Sequence, residues 1–253
     1  MKQLLLFIYF YSSLISQDIN WRVTLPLGKV LIKEQNNAEW AKAKVNHGIH
    51  AGDEIKSGSR SRCEIKNRKK HILRVGENSN IILDHNENEQ NAFKVINGKV
   101  WYNYPGKNRD VRTEIRTPTA VAAIRGTVYN LEVSENVSDH YVLEGKVNLV
   151  PVNEDGVSVD DTTIVVNEGE MVRMVKDFDQ YLKDQERKFL EFKDEFEIFK
   201  LKQSKDFNKF LISERDAFKQ FKNISISKTK IDSAEFNLSD WVKWNKDLDG
   251  SID

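Results

Sequence analysis

The run closest to a ligand-binding pattern is Asn245-Lys246-Asp247-Leu248-Asp249-Gly250-Ser251-Ile252-Asp253. Oxygen-bearing side chains at alternate positions, a Gly in sixth place for a sharp turn and an apolar eighth residue match the first nine positions of a calcium loop. The pattern nominates Asn245, Asp247, Asp249 and Asp253 as ligands of an incomplete site, because the bidentate Glu of position twelve is not there. Weak calcium binding is therefore the one cofactor expectation the sequence raises. His47 and His50 do not make a metal pair, since on a strand they point to opposite faces. Lys56, Arg60, Arg62, Lys66, Arg68, Lys69, Lys70 and Arg74 form a basic run. No aromatic residues interleave it for base stacking, which excludes a nucleic-acid partner. A solvated hairpin balanced by Asp84, Glu87 and Glu89 accounts for it. The chain shows no Gly-x-Ser-x-Gly elbow, no His-Glu-x-x-His and no Gly-rich phosphate loop, so it is not expected to be an enzyme. Its single Cys63, in the apparent strand from Arg62 to Ile65, excludes an internal disulfide and reads as a buried structural thiol.

These residues must be placed by a chain of 253 residues, long enough for one domain plus an appendage. Lys and Arg total 39 and Asp and Glu total 39. With no net charge, no global field draws in nucleic acid or an anionic membrane. At the N-terminus Lys2 precedes an uncharged apolar run, Leu4 to Ile15. That run is too short for a spanning helix, which needs roughly twenty residues. Residues 1–16 are read as a cleaved signal peptide, so the mature chain is expected to be exported, periplasmic or extracellular, and without a membrane span.

From Trp21 to Val175 the hydrophobic pattern has period two and frequent turn residues, which predicts short strands. Eleven of the 12 glycines and all four prolines lie before residue 170, and this composition shift marks the domain boundary. The β region also echoes itself. Gly28-Lys29-Val30, Asn97-Gly98-Lys99-Val100 and Glu144-Gly145-Lys146-Val147 each set a Gly turn before an apolar strand, and Gly52-Asp53-Glu54-Ile55 and Gly169-Glu170-Met171-Val172 form a second echo. Arg125-Gly126-Thr127 and Thr117-Pro118 are read as scaffold, because a glycine between strand residues marks a bulge or close approach and a proline fixes its neighbours.

The run from Gly52 to Arg62, then Asn97-Gly98-Lys99-Val100, then Ile115-Arg116-Thr117-Pro118-Thr119-Ala120-Val121-Ala122-Ala123-Ile124-Arg125-Gly126-Thr127, then Glu144-Gly145-Lys146-Val147, resembles the FecR domain in order and spacing. The resemblance covers roughly residues 22–175. It implies a mainly β fold, a twisted β-solenoid-like domain outside the cytoplasm, known best from regulators that sense iron-siderophore uptake. Those regulators carry a cytoplasmic sigma-factor-binding segment joined through a membrane helix. Only some 20 residues precede the domain here, so the sigma-factor activity is not carried over. Asn67-Arg68-Lys69-Lys70 stands where the family usually has an Asp-Gly hairpin turn, with Asn67 the candidate for a left-handed conformation.

Asp177 followed by Gln180 reads as a capping box opening a long helix over residues 177–222. Phe178, Leu182, Phe189, Phe192, Phe196, Phe199, Phe207, Phe210, Ala217 and Phe221 fall on one coiled-coil-like seam with a single stutter. Unbroken, this helix would extend about 70 Å at 1.5 Å per residue. Phe189, Phe192, Phe196, Phe199, Phe207 and Phe210 are the candidate partner interface. The partner is the β domain itself, a second copy, or a separate envelope protein. Residues 223–253 form a tail with a short helix at Ser239 to Lys246. The expected function is a non-catalytic envelope interaction or assembly module. The alternative is a component of cell-surface signalling related to sigma-factor regulation, acting through a separate membrane protein.

Overall fold

The computed structural model describes residues 21–85, 91–104, 113–153, 162–193, 200–221 and 224–251. The expected signal peptide, residues 1–16, lies outside them. In chain order the strands are β1 (Trp21–Leu27), β2 (Val30–Lys33), β3 (Ala41–Lys42), β4 (Gly48–Ile49), β5 (Glu54–Ser57), β6 (Arg62–Asn67), β7 (Ile72–Val75), β8 (Asn80–His85), β9 (Asn91–Asn103), β10 (Thr113–Arg116), β11 (Ala120–Ile124), β12 (Val128–Val133), β13 (Val137–Glu144), β14 (Lys146–Pro151), β15 (Ile164–Asn167) and β16 (Glu170–Val175). Helices α1 (Phe178–Lys193) and α2 (Lys200–Ala217) follow, then β17 (Lys219–Phe221), β18 (Ile224–Lys230), α3 (Ser233–Phe236) and α4 (Asp240–Asp249).

The strands form two layers that share β9. The first layer, A, runs β4-β1-β6-β7-β9-β12-β13-β16-β18-β17. Layer B runs β3-β2-β5-β8-β9-β10-β11-β14-β15. Among the described residues only the β9–β10 ladder is parallel. The fold is mainly β, as expected, and its sheet does not close on itself. Period-two alternation builds it: Val30 and Ile32 of β2 are buried while Leu31 and Lys33 are not, and β13 buries Ser138, His140 and Val142 between more exposed neighbours. Val23, Ile65 and Val75 from layer A meet Val30, Ile55 and Ile81 from layer B in one core. Fully burying each such side chain is worth about 1.5–3 kcal/mol.

The echoed glycines mark where the chain passes between layers. At all nine passages among the described residues one residue has positive φ: Gly28, Asn46, Gly52, Arg60, Asn78, Gly98, Gly126, Gly145 or Gly169. Gly98 shows why. It sits at φ +102° where β9 leaves layer B for layer A, and a Cβ there would lie 2.4 Å from the Ser79 Cα. A left-handed backbone and a contact that close admit only glycine. Gly126 of Arg125-Gly126-Thr127 is another such passage. The β6–β7 hairpin differs from expectation: Lys70, not Asn67, takes the positive φ. Asn67 instead accepts hydrogen bonds from the Lys69 and His71 amides through Oδ1, at 3.0 and 2.9 Å, and so closes the turn with its side chain.

Two boundaries change. The sheet does not stop at Val175, because β18 pairs along β16 from Val175↔Ser225 to Glu170↔Lys230. The helical segment is therefore an insertion between neighbouring strands of layer A, and the tail is part of the β structure. Nor is residues 177–222 one rod. The Tyr181 hydroxyl donates to Glu214 at 2.9 Å, 33 residues along the chain. A continuous helix would hold them about 50 Å apart. The start of α1 meets the end of α2, with Phe178 and Phe218 ring centroids 5.0 Å apart. The capping box is half as expected: the Gln180 amide donates to Asp177 Oδ1 at 2.8 Å, but Asn136, not Gln180, caps the Asp177 amide. The seam also shifts on α2. Phe218 is buried with Leu211 packed beside it, while Ala217 and Phe210 face outward. The side chains of Phe189, Phe192, Phe196, Phe199 and Phe207 lie outside the described ones.

Candidate functional site

A row of side chains crosses the outer surface of layer A, opposite the core. Register places Glu64 (β6) beside Arg74 (β7), Arg74 beside Trp101 (β9), Trp101 beside Asn130 (β12) and Asn130 beside Tyr141 (β13). Period two puts all five on one face because their neighbours Cys63, Val75, Val100 and Leu131 fill the core. An outward row would normally be wet. Here Arg74 and Asn130 have no exposed surface and Trp101 has 1%, because α4 lies across them.

The helix is suited to the task. Trp241, Val242 and Asn245 are its buried residues, and Asp249 follows one turn after Asn245 on the same face. Trp241 Nε1 donates to Asn130 Oδ1 at 2.9 Å. Arg74 Nη1 donates to Asp249 Oδ1 at 2.5 Å and to the Asn245 carbonyl at 3.2 Å. Trp101 Nε1 donates to Asp249 Oδ2 at 2.9 Å. Trp244 lies over the two guanidinium groups of Arg62 and Arg74, at 4.8 and 5.8 Å, and α3 sets Phe236 against Tyr141 with centroids 4.9 Å apart.

Arg74 is paired from the sheet side as well. Its Nε donates to Glu64 Oε2 at 2.8 Å, and Thr24 Oγ1 donates to Glu64 Oε1 at 2.7 Å. Burial alone would raise the Glu64 carboxyl, but the hydrogen bonds from Arg74 and Thr24 and the charges of Arg74 and Lys66 outweigh it, so Glu64 lies below the usual carboxylate range. Two donors under the helix are left over. Arg74 Nη2 and Asn130 Nδ2 are buried with no hydrogen-bond partner among the described residues, and each such orphan costs about 1–3 kcal/mol. Beside α4 a groove of about 830 Å³ is lined by Trp101, Tyr104, Leu143, Phe236, Lys246 and Asp249 among others.

The calcium pattern is reassigned by this arrangement. Asn245, Asp247 and Asp249 stand on a helix, not a loop, so alternate residues diverge: Asn245 and Asp249 converge on Arg74, while Asp247 is exposed. Asp253 lies outside the described residues. The basic run is also divided. Lys56 belongs to layer B and sits 5.7 Å from the Trp40 ring, Arg62 stacks on Trp244, Lys66 pairs with Glu64 at 3.2 Å, and Arg74 is buried rather than solvated. His47 and His50 lie 3.6 and 3.5 Å from Glu34 and Asp53 respectively. Cys63 is fully buried, and burial followed by the Glu64 charge pushes its thiol up to about 12. That makes it inert near neutral pH.

A second polar cluster went unread in the sequence. Ser138 and His140, two apart on β13, both point inward, where Ser138 Oγ bonds His140 Nε2 at 2.7 Å, Tyr129 bonds His140 Nδ1, and Thr119 bonds Ser138. The motif residue Thr117 continues the chain to Thr119 at 3.3 Å. A Ser–His pair suggests nucleophile and base, but Ser138, His140 and Tyr129 have no exposed surface. Burial drops His140 to about 3, so the imidazole stays neutral and serves to satisfy the core. The signal available in the sequence was the period-two spacing of two polar residues inside an apolar strand.

Residues 53–148 match the family model described as FecR protein. That span of the chain is similar to a FecR domain. That span supplies Glu64, Arg74, Trp101, Asn130 and Tyr141, whereas α4, which covers them, lies beyond it. A comparison with curated proteins finds no match. Two crystal structures of a candidate anti-sigma factor from Parabacteroides distasonis, at 1.65 and 2.50 Å, align over 48% of this chain and 54% of theirs, at 11% identity and TM-score 0.40. The chain thus spans about half the length of that protein, at a similarity too low to bear on fold or function. No helix among the described residues is long and apolar enough to cross a membrane.

Proposed function

We propose that this FecR-like protein is a non-catalytic interaction module of the cell envelope, exported and acting by contact with another protein. The observation that carries the reading is the helical hairpin inserted between β16 and β18. Its base is locked into the sheet by Tyr181, Leu182 and Phe218, while Phe210 and Ile212 remain 41% and 61% exposed. The β scaffold thereby carries two exposed large apolar side chains on different sides of the inserted helix α2, positions that a protein partner would bury. The same stretch of sequence also carries Phe189, Phe192, Phe196, Phe199 and Phe207, whose side chains lie outside the described ones. The sealing of Ser138 and His140 in the core favours a binding role over catalysis.

The FecR match also favours a second reading, a role in cell-surface signalling related to sigma factors through a separate membrane protein. Photo-crosslinking from Phe210 and Ile212 in the full chain, followed by fractionation of the envelope, distinguishes the two. Assembly expects adducts with itself or a structural envelope protein, and signalling expects a membrane regulator. Recovery of the chain from the cytosol with residues 1–16 intact and no adduct removes both.

A further inference from the structure

We propose that the row Glu64–Arg74–Trp101–Asn130–Tyr141 is a docking groove for an amphipathic helix of a partner protein, and that α4 is a releasable occupant of it. The partner helix carries an indole and a carboxylate two turns apart, as Trp241 and Asp249 are on α4, together with acceptors for Arg74 Nη2 and Asn130 Nδ2. This deepens the interaction-module reading and rests on it.

Three observations converge. The covered face is mixed: a buried Arg, Glu and Asn lie beside the Trp101, Trp241 and Val242 cluster, whereas permanent interfaces resemble a split apolar core. The row is also provided for when uncovered: Glu64 accepts from Thr24 and Arg74 and pairs with Lys66 without help from α4, so Arg74 keeps a counter-ion on release. Finally, two of the three orphaned buried donors and acceptors among the described residues, Arg74 Nη2 and Asn130 Nδ2, are ones that α4 covers without satisfying. A partner that supplies acceptors there displaces α4 with a gain. The connection permits it, since residues 232–240 are mostly exposed and Leu238 is 72% so.

Hydrogen exchange on the full chain tests the release directly. The amides of α4 are expected to exchange at least 100-fold faster than those of β7 and the second half of β9, by local opening. Equal protection of α4 and these strands overturns the proposal. A labelled peptide of residues 239–251 supplies the second measurement. It should bind a full chain carrying Trp241→Ala and Asp249→Asn at least 10-fold more tightly than the wild type, whose groove is filled in cis. Circular dichroism checks that the variant is folded, and a folded variant that ignores the peptide overturns the groove. If the variant does not fold, the exchange rates of the wild type decide alone. Neither measurement needs the natural partner, so failure here is separable from failure of the crosslinking experiment.

Discussion

Arg74 carries more of the structure than any other charged residue in its row, because two elements distant in sequence converge on it. Arg74→Ala would leave Glu64 and Asp249 facing each other without their shared cation, and is expected to lower stability by about 3–5 kcal/mol in denaturant titration. Arg62→Ala removes only a stacking cation at the rim and should cost under about 1 kcal/mol. The buried histidines set a pH dependence. Burial depresses His140 to about 3, and burial with the Lys69 charge depresses His71 to about 4, from 6.5 in the open chain. Above pH 6.5 both states are neutral and the groups contribute nothing. Below it the unfolded chain takes up protons that the folded chain refuses, so stability falls as pH drops from 6.5 towards 4 and then 3. Each group contributes roughly 1.4 kcal/mol per pH unit once the unfolded form is fully protonated. Urea midpoints at pH 7, 5.5 and 4.5 should decline accordingly, and a flat profile above pH 4.5 would show that the histidines are solvated.

At the scale of elements, the helical hairpin tests how hydrophobic spacing is read. Counting the Phe residues predicts a single seam through Phe210 and Ala217, but the sheet selects Leu211, Glu214 and Phe218, because α2 turns back and meets α1 and Val175 at its last turn. Phe218→Ala should cost about 3–5 kcal/mol, as for other buried aromatics. Phe210→Ala should shift the melting midpoint of the isolated protein hardly at all, by about 0.5 kcal/mol or less, since its side chain is partly in water. Equal costs would mean that α2 is rotated about its axis. The same contrast separates fold from function, because Phe210→Ala is the substitution expected to weaken crosslinking to a partner.

At the scale of the whole molecule, the FecR-like domain is completed by segments outside the matched span. A fragment of residues 21–175 lacks β18, which leaves β16 an open edge, and lacks α4, which bares Trp101. It is expected to melt well below the full chain and to self-associate. A chain ending at Lys230 retains β18 and the Glu64–Arg74 pair, and should melt cooperatively with only a modest loss. Scanning calorimetry with light scattering compares them, and equal melts would show that β18 is dispensable. The sequence by itself determined the strand-rich region, the glycine passages and the FecR likeness, because period-two alternation and left-handed turns are local properties written in neighbouring residues. It could not show that Arg74 is buried, that Ser138 and His140 face inward together, or that Asp249 pairs with Arg74. Those outcomes depend on pairs such as Arg74 and Asp249, 175 residues apart, which only the closing of α4 over layer A brings within a hydrogen bond of each other.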